Sequence, residues 1–289
     1  MKTLIVGATG QLGTALARSV PADVTVRLLD LPAFDITAAD QVDATIAHES
    51  PDVIINASAY TAVDQAEKEA DLAHAVNAAG PANLARAADA HGVRLIHVST
   101  DYVFDGTACR PYASDAACHP LGVYGQSKRQ GEIHVLASAG RALIIRTSWL
   151  YSPWGANFVL TMLRLMQTKE HLDVVADQIG SPTAAATLAQ AIWAAVDRPQ
   201  IQGVYHWADA GVASWFDFAV AIQEEALAIG LLLRPIPIRP IPTSAFPTPA
   251  RRPAYSVLDS TRTWNDFALE PTHWRKVLRD CLADIKRQQ

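Results

Sequence analysis

Cysteine is scarce: Cys109, Cys118 and Cys281 are the only three in 289 residues, and their spacing suits neither a disulfide framework nor a metal cluster. A reducing, cytoplasmic setting is therefore expected. No apolar run approaches the ~20 residues that a bilayer span needs, so no membrane partner is expected. Basic blocks are also missing, and the net charge is −5, which argues against a nucleic-acid partner. The nine histidines are scattered without metal-ligand spacing, and no metal site is expected. Met1 and Lys2 run straight into an apolar stretch, so no signal peptide is expected. There is no internal repeat. What the chain does have is apolar substance, 50% of its residues, enough for a sizeable core in one large or two unequal lobes.

The first half alternates short β-branched runs with Ala-rich helical stretches, the pattern of a parallel sheet covered by helices. Strands are expected at 3–6, 24–29, 53–56, 94–99 and 143–146, each nearly continuous in apolarity, as strands buried on both faces are. Helices are expected over 11–19, over 65–90 with a break near Gly80-Pro81, and over 125–139. After Trp149 the pattern changes: helical stretches at 158–167, 184–196, 215–229 and 272–286 enclose strand-like pieces such as 204–207. Residues 234–253 carry seven prolines and read as an extended, surface-following connection. The expected architecture is α/β: a Rossmann-type doubly wound parallel sheet over 1–150, completed by later segments, and a smaller, discontinuous substrate lobe over 151–289.

The apolar run Leu4-Ile5-Val6 leads into Gly7-Ala8-Thr9-Gly10-Gln11-Leu12-Gly13. Glycines at a strand-to-helix turn let the backbone approach a pyrophosphate, and the helix N-terminus offers it free N–H groups. The spacing is G-x-x-G-x-x-G, which resembles the short-chain dehydrogenase/reductase variant of the dinucleotide fingerprint. Asp30 follows the second strand, where an acidic side chain meets the adenosine ribose and disfavours a 2′-phosphate. This leans towards NADH, while Arg18 and Arg27 are available to soften the bias, so both NADPH and NADH stay open. Asp35 and Ile36 lie near the expected adenine position. Ala57, Ala59, Tyr60 and Thr61, after the third strand, are expected along the middle of the cofactor.

Tyr124 and Lys128 are four residues apart, which places them on one face of a helix. An adjacent ammonium favours phenolate, so Lys128 is expected to draw down the Tyr124 pKa and make it a proton donor near neutrality. Lys128 also suits the nicotinamide ribose. Thr100, at the end of the fourth strand, supplies a hydroxyl for a substrate carbonyl, with Ser99 as the alternative holder of that role. Trp149 follows the fifth strand, where an indole either stacks on a sugar ring or packs in the core.

The stretches Ser99-Thr100-Asp101-Tyr102-Val103-Phe104-Asp105-Gly106, Tyr124-Gly125-Gln126-Ser127-Lys128 and Arg146-Thr147-Ser148-Trp149-Leu150-Tyr151 resemble the dTDP-4-dehydrorhamnose reductases, an extended short-chain dehydrogenase/reductase group. Asp177-Gln178-Ile179-Gly180-Ser181-Pro182-Thr183 and Pro247-Thr248-Pro249-Ala250 with Arg252-Pro253 carry the resemblance to the end of the chain. The resemblance implies reduction of the 4-keto group of dTDP-4-dehydro-β-L-rhamnose by NADPH or NADH. It implies Thr100, Tyr124 and Lys128 as catalytic residues, and Thr100, Asp101, Tyr124 and Trp149 as sugar contacts. It also implies Gly10, Gln11, Leu12, Asp30, Asp35, Ile36 and Ala59-Tyr60-Thr61 as dinucleotide contacts. Charge alone adds Arg251 and Arg252 as partners for the substrate's nucleotide or diphosphate.

Some members of that group dimerise around Mg²⁺ held by glutamates. The matching positions here are Ala15 and Ala186, which cannot ligate a hard cation, so no such metal site is expected. A monomer or a differently built homodimer stands level with the metal-bridged form. Two other readings keep the same scaffold: another nucleotide-sugar reductase or epimerase, and a non-catalytic NADP-binding regulatory subunit like that of methionine adenosyltransferase.

Overall fold

The computed structural model describes residues 1–138 and 140–288. Six strands, β1 (Lys2–Val6), β2 (Thr25–Leu29), β3 (Val53–Asn56), β4 (Arg94–Thr100), β5 (Leu143–Thr147) and β6 (Gly203–His206), form one sheet in the order β6-β5-β4-β3-β1-β2. Every pairing in it is parallel. The chain passes from β1 to β2 on one side and then returns to lay β3 on the other side of β1. That reversal is a topological switch point, and open α/β sheets bind their ligands outside the carboxyl ends of such strands.

The near-continuous apolarity of β1, β3, β4 and β5 follows from burial on both faces, whereas β2, expected to be buried likewise, is an edge strand and largely exposed, Leu28 at 45%. Ile5 and Ile55 point into a core with helices α1 (Gln11–Arg18) and Ala185–Val196, whereas Leu4, Val6 and Ile54 point to the opposite core. That second core is closed by α2 (Ala39–Glu49) and by helix Gly80–Ala90, which packs in turn on helix Val123–Ser138. A third core gathers Tyr151, Phe218, Trp274 and Leu278, so the later part of the chain has an apolar interior of its own.

Two buried arginines sit inside this frame with partners. Arg94 is 1% exposed, and its guanidinium donates to the carbonyls of Ala195 (2.6 Å) and Ile201 (2.8 Å), at the C-terminal end of helix Ala185–Val196 where a cation is favoured. Arg146 pairs with the fully buried Glu132 at 2.7 Å, joining β5 to helix Val123–Ser138.

The helix expected over 65–90 breaks elsewhere than at Gly80-Pro81. It is divided into Val63–Ala66, Ala70–His74, a π-turn at Ala75–Ala79 and then Gly80–Ala90 without interruption. Pro81 directly follows the π-turn inside this continuous run, Ala79 and Gly80 both having helical backbone, and a Cβ at Gly80 would lie 2.4 Å from Ile36 Cδ1. Within the proline-rich segment, Ile238–Ile241 is a strand paired in parallel with Leu172–Val175, and the rest follows the surface. The expectation for Ala139 lies outside the described residues.

Candidate active site

The carboxyl ends of the sheet strands open into a cleft of about 740 Å³. Gly7 follows β1, Asp30 follows β2, Ala57 follows β3, Thr100 ends β4 and Thr147 ends β5, and all five line it. So do Gly10, Gln11, Leu12, Asp35, Ile36, Ala59, Thr61, Asp101, Tyr124, Lys128 and Trp149. The fold thus brings together nearly every residue singled out from the sequence.

The glycine loop divides its labour. Gly7 has φ +79°, and a Cβ on it would meet the Ser58 backbone at 2.6 Å. A Cβ on Gly13 would meet the Gly7 carbonyl oxygen at 2.1 Å, so Gly13 serves the close packing of α1 on its own loop and does not line the cleft. Gly10 is the N-cap of α1 and supplies no side-chain cap, which leaves the first N–H groups of the helix for a ligand. The cradle fits a dinucleotide pyrophosphate: bare backbone, a helix N-terminus, and a neighbouring loop too close for any side chain. Gln11 then reaches across the cleft end, where its Oε1 accepts from Ser152 Oγ (2.8 Å) and Asn157 Nδ2 (3.0 Å).

At the other end of the cleft stand the groups that can move a proton. Thr100 Oγ1 accepts the Tyr102 N–H and donates to Asp101 Oδ1 at 3.0 Å. Burial pushes the Asp101 carboxyl up to about 6, against hydrogen bonds from the Ser256 and Thr100 side chains. Tyr124 and Lys128 lie one turn apart on helix Val123–Ser138 and both face the cleft. The expected drawing-down of the tyrosine by the lysine is not met. Burial lifts the Tyr124 hydroxyl to about 12, the Thr100 side chain pulling it back and the Asp101 carboxylate pushing it on. Lys128 Nζ donates to the Val98 carbonyl at 2.7 Å, and burial lowers its pKa to about 8 against the raising pull of Glu132. Ser99 also lines the cleft and is buried beside Glu132. His97 is wholly buried against Asn56 Nδ2 (3.0 Å) and belongs to the strand packing.

Four sequence candidates stand outside the cleft lining, the exposed Arg251 among them. Gly13 is one, for the reason given. Tyr60 points away: its backbone N–H donates to Asn77 Oδ1 (2.8 Å) and its hydroxyl to Glu69 Oε2 (2.6 Å), while neighbours Ala59 and Thr61 face inward. Arg252 is the fourth. Its guanidinium grips Asp64 through both nitrogens (2.9 and 2.7 Å), which neutralises the charge that suggested a diphosphate contact and ties the proline-rich segment to the helical stretch after β3.

Other residues contribute that the motifs did not single out. Asn77, 1% exposed, donates to Ser127 Oγ (3.1 Å), which in turn donates to the Tyr124 carbonyl (2.9 Å), so it steadies the helix bearing Tyr124. An asparagine set among alanines was the available signal. Trp215 lines the cleft and stacks on Trp149. Its Nε1 donates to Gln178 Oε1 (3.2 Å), and Gln178 Nε2 donates to Thr243 Oγ1 (3.1 Å).

With this geometry in hand, comparison with known proteins is specific. The family described as the RmlD substrate binding domain matches residues 1–287. The chain belongs to that family. It is 42% identical over 289 residues to a dTDP-4-dehydrorhamnose reductase of Aggregatibacter actinomycetemcomitans, covering 98% of each chain. A crystal structure of a dTDP-4-dehydrorhamnose reductase from Clostridium acetobutylicum superposes with TM-score 0.93 at 38% identity, covering 99% of this chain and 100% of the other. The dTDP-4-dehydrorhamnose reductase of Bacillus anthracis, solved in complex with NADP, superposes with TM-score 0.92 at 36% identity, covering 98% and 99%. Family membership agrees with a Rossmann-type sheet and a nicotinamide cofactor. Among the described residues no helix is long and apolar enough to cross a membrane.

Proposed function

We propose that the chain reduces the 4-keto group of dTDP-4-dehydro-β-L-rhamnose to give dTDP-L-rhamnose. The observation that carries this reading is the convergence of Thr100, Tyr124 and Lys128 on one end of a cleft whose other end is the Gly10-Gln11-Leu12 anion cradle. A bound NADH or NADPH supplies the hydride. The cradle and Asp30 hold the adenosine and pyrophosphate half, with Asp35, Ile36, Ala57, Ala59 and Thr61 alongside. Lys128, an ammonium below pH about 8, holds the nicotinamide ribose.

Thr100 Oγ1 orients the substrate carbonyl. Tyr124 gives its proton to the C4 oxygen as negative charge gathers there. A hydroxyl lifted to about 12 is fully protonated at neutral pH, so the donor is loaded before each turnover. One hydride at carbon and one proton at oxygen complete the alcohol. Asp101 and Trp149 contact the sugar. In this reading residues 1–150, with helix Ala185–Val196 and β6, make the cofactor half, and the rest of 151–289 makes the substrate half. The compartment is the cytoplasm, consistent with three unpaired cysteines.

The test is purified protein with dTDP-4-dehydro-β-L-rhamnose generated in situ and either nicotinamide nucleotide, followed by loss of reduced-nicotinamide absorbance. Oxidation accompanied by dTDP-L-rhamnose supports the assignment. No oxidation while the cofactor still binds contradicts it and points to a different keto-sugar.

A further inference from the structure

Glu132 stands one turn after Lys128 on helix Val123–Ser138, so the two share a face. That face is turned inward: Glu132 is 0% exposed and Lys128 2%. A carboxylate so deep is costly unless charges and hydrogen bonds compensate it. Its Oε1 accepts Arg146 Nε at 2.7 Å, and its Oε2 accepts Arg146 Nη2 at 2.8 Å and Arg129 Nη1 at 2.7 Å. Burial works against ionisation, but the Arg146 guanidinium, with Ser99 and Arg129 beside it, outweighs burial and holds the carboxyl below its ordinary range.

The proposed reduction uses neither Glu132 nor Arg146, yet both bear on the groups it does use. Arg146, on β5, is paired in register with Ser99 on β4. The residue before Ser99 is Val98, whose carbonyl accepts Lys128 Nζ at 2.7 Å. Arg146 Nη1 also donates to the Ser114 carbonyl at 3.2 Å, which fixes the guanidinium further. Two strands therefore clamp one turn of the helix on which Tyr124 and Lys128 ride.

The charges around Lys128 can be named element by element. His97, on β4, is kept neutral by burial and then by Lys128 itself. Tyr124, on the same helix, keeps its proton at neutral pH. Asp101, on the turn after β4, bears on Tyr124. Glu67, from the stretch after β3, accepts the Val123 N–H at 2.9 Å at the start of the helix. Asn77, from the π-turn, carries no charge. Burial lowers the pKa of Lys128, and Glu132 is what pulls it back.

We infer that Glu132 is a positioning residue for the reaction: clamped by Arg146, it fixes the helix turn that carries Lys128 against β4 and supplies the negative charge that keeps the buried lysine an ammonium. The inference rests on the reading of Lys128 as the group that holds the nicotinamide ribose.

The experiment records kcat/KM against pH on the full chain and, in parallel, titrates Lys128 by NMR of lysine labelled with ¹³C at Cε. It compares the unaltered protein, Glu132→Gln, and Glu132→Gln combined with Arg146→Met. The double variant leaves no guanidinium buried without its carboxylate, so it keeps the test open where Glu132→Gln alone does not fold. In both variants the alkaline decline and the Lys128 titration should move down together by about one pH unit. A packing role alone would lower kcat/KM equally at every pH with both midpoints in place, and that result would overturn the inference. A shifted NMR midpoint in a protein that shows no turnover in any form would support the tuning of Lys128 and overturn the reduction itself.

Discussion

Trp149 lies flat against Trp215, ring centroids 3.6 Å apart and planes 6° from parallel. Trp149 holds this pose with a positive φ of 46°, beside Gly180, where a Cβ would come within 2.4 Å of its Cε2. Trp215 therefore covers one face of the indole expected to meet the sugar. A stacked pair is worth about 0.5–1.5 kcal/mol beyond its buried area. Trp215→Ala should accordingly raise KM for the sugar nucleotide roughly 2- to 12-fold. The Kd for NADH should not move, and Trp215→Phe should restore most of the loss. Equal weakening of both ligands would show a merely structural role.

Tyr124→Phe removes the proposed proton and little else, because the hydroxyl has no structural partner apart from its neighbour Thr100. Turnover should fall by roughly 10²–10⁴-fold, the usual worth of a positioned general acid. Cofactor affinity, measured by titration, should stay within about twofold of the unaltered protein. Turnover preserved in this variant would remove Tyr124 from the mechanism.

Lys128 sets an alkaline limit. Burial lowers its pKa to about 8, so it is an ammonium at neutral pH and loses that charge as pH rises past this value. The profile of kcat/KM should decline above pH about 8. Lys128→Met should lie far lower and show no such decline. A profile of the unaltered protein that stays flat well into the alkaline range would contradict the role given to the charge.

Much of this was legible in the chain because it is local. A glycine turn after an apolar run, and a tyrosine four residues before a lysine, each announce themselves within one turn of helix. The positions of the inner strands followed from burial on both faces, which the edge strand β2 lacks. What was not legible depends on contacts between residues distant in sequence. Arg252 reads as a free cation until Asp64 closes on it from 188 residues away. Trp215 carries no signal of its own in the sequence, and its place in the cleft depends on Trp149 lying against it. The pKa of Tyr124 depends on how deeply its helix is buried, which no spacing discloses. The break before Ala70 also escaped notice, since neither Gly nor Pro marks it.

Asp209 gives the fold its own pH signature. It is 4% exposed, and burial pushes its carboxyl up to about 7, against hydrogen bonds from Thr187 and the Ala184 N–H. The ordinary value is 3.8, so between these limits the native state holds a proton that the unfolded chain has released. Stability from this group therefore falls as pH rises through that window and levels off above about 7. Asp209→Asn cannot titrate. The Tm of the variant relative to the unaltered protein should climb between pH about 4 and about 7, read by thermal melts. A constant difference across that range would show the carboxyl titrating normally.

The central claim is hydride delivery to C4 of the sugar. The direct measurement uses NADH deuterated at the transferable position of the nicotinamide, with dTDP-4-dehydro-β-L-rhamnose, and locates the label in the product by NMR. The account predicts one deuterium on C4 of the rhamnosyl ring. Product with the label at another carbon, or cofactor oxidised with no label in the sugar, would contradict it.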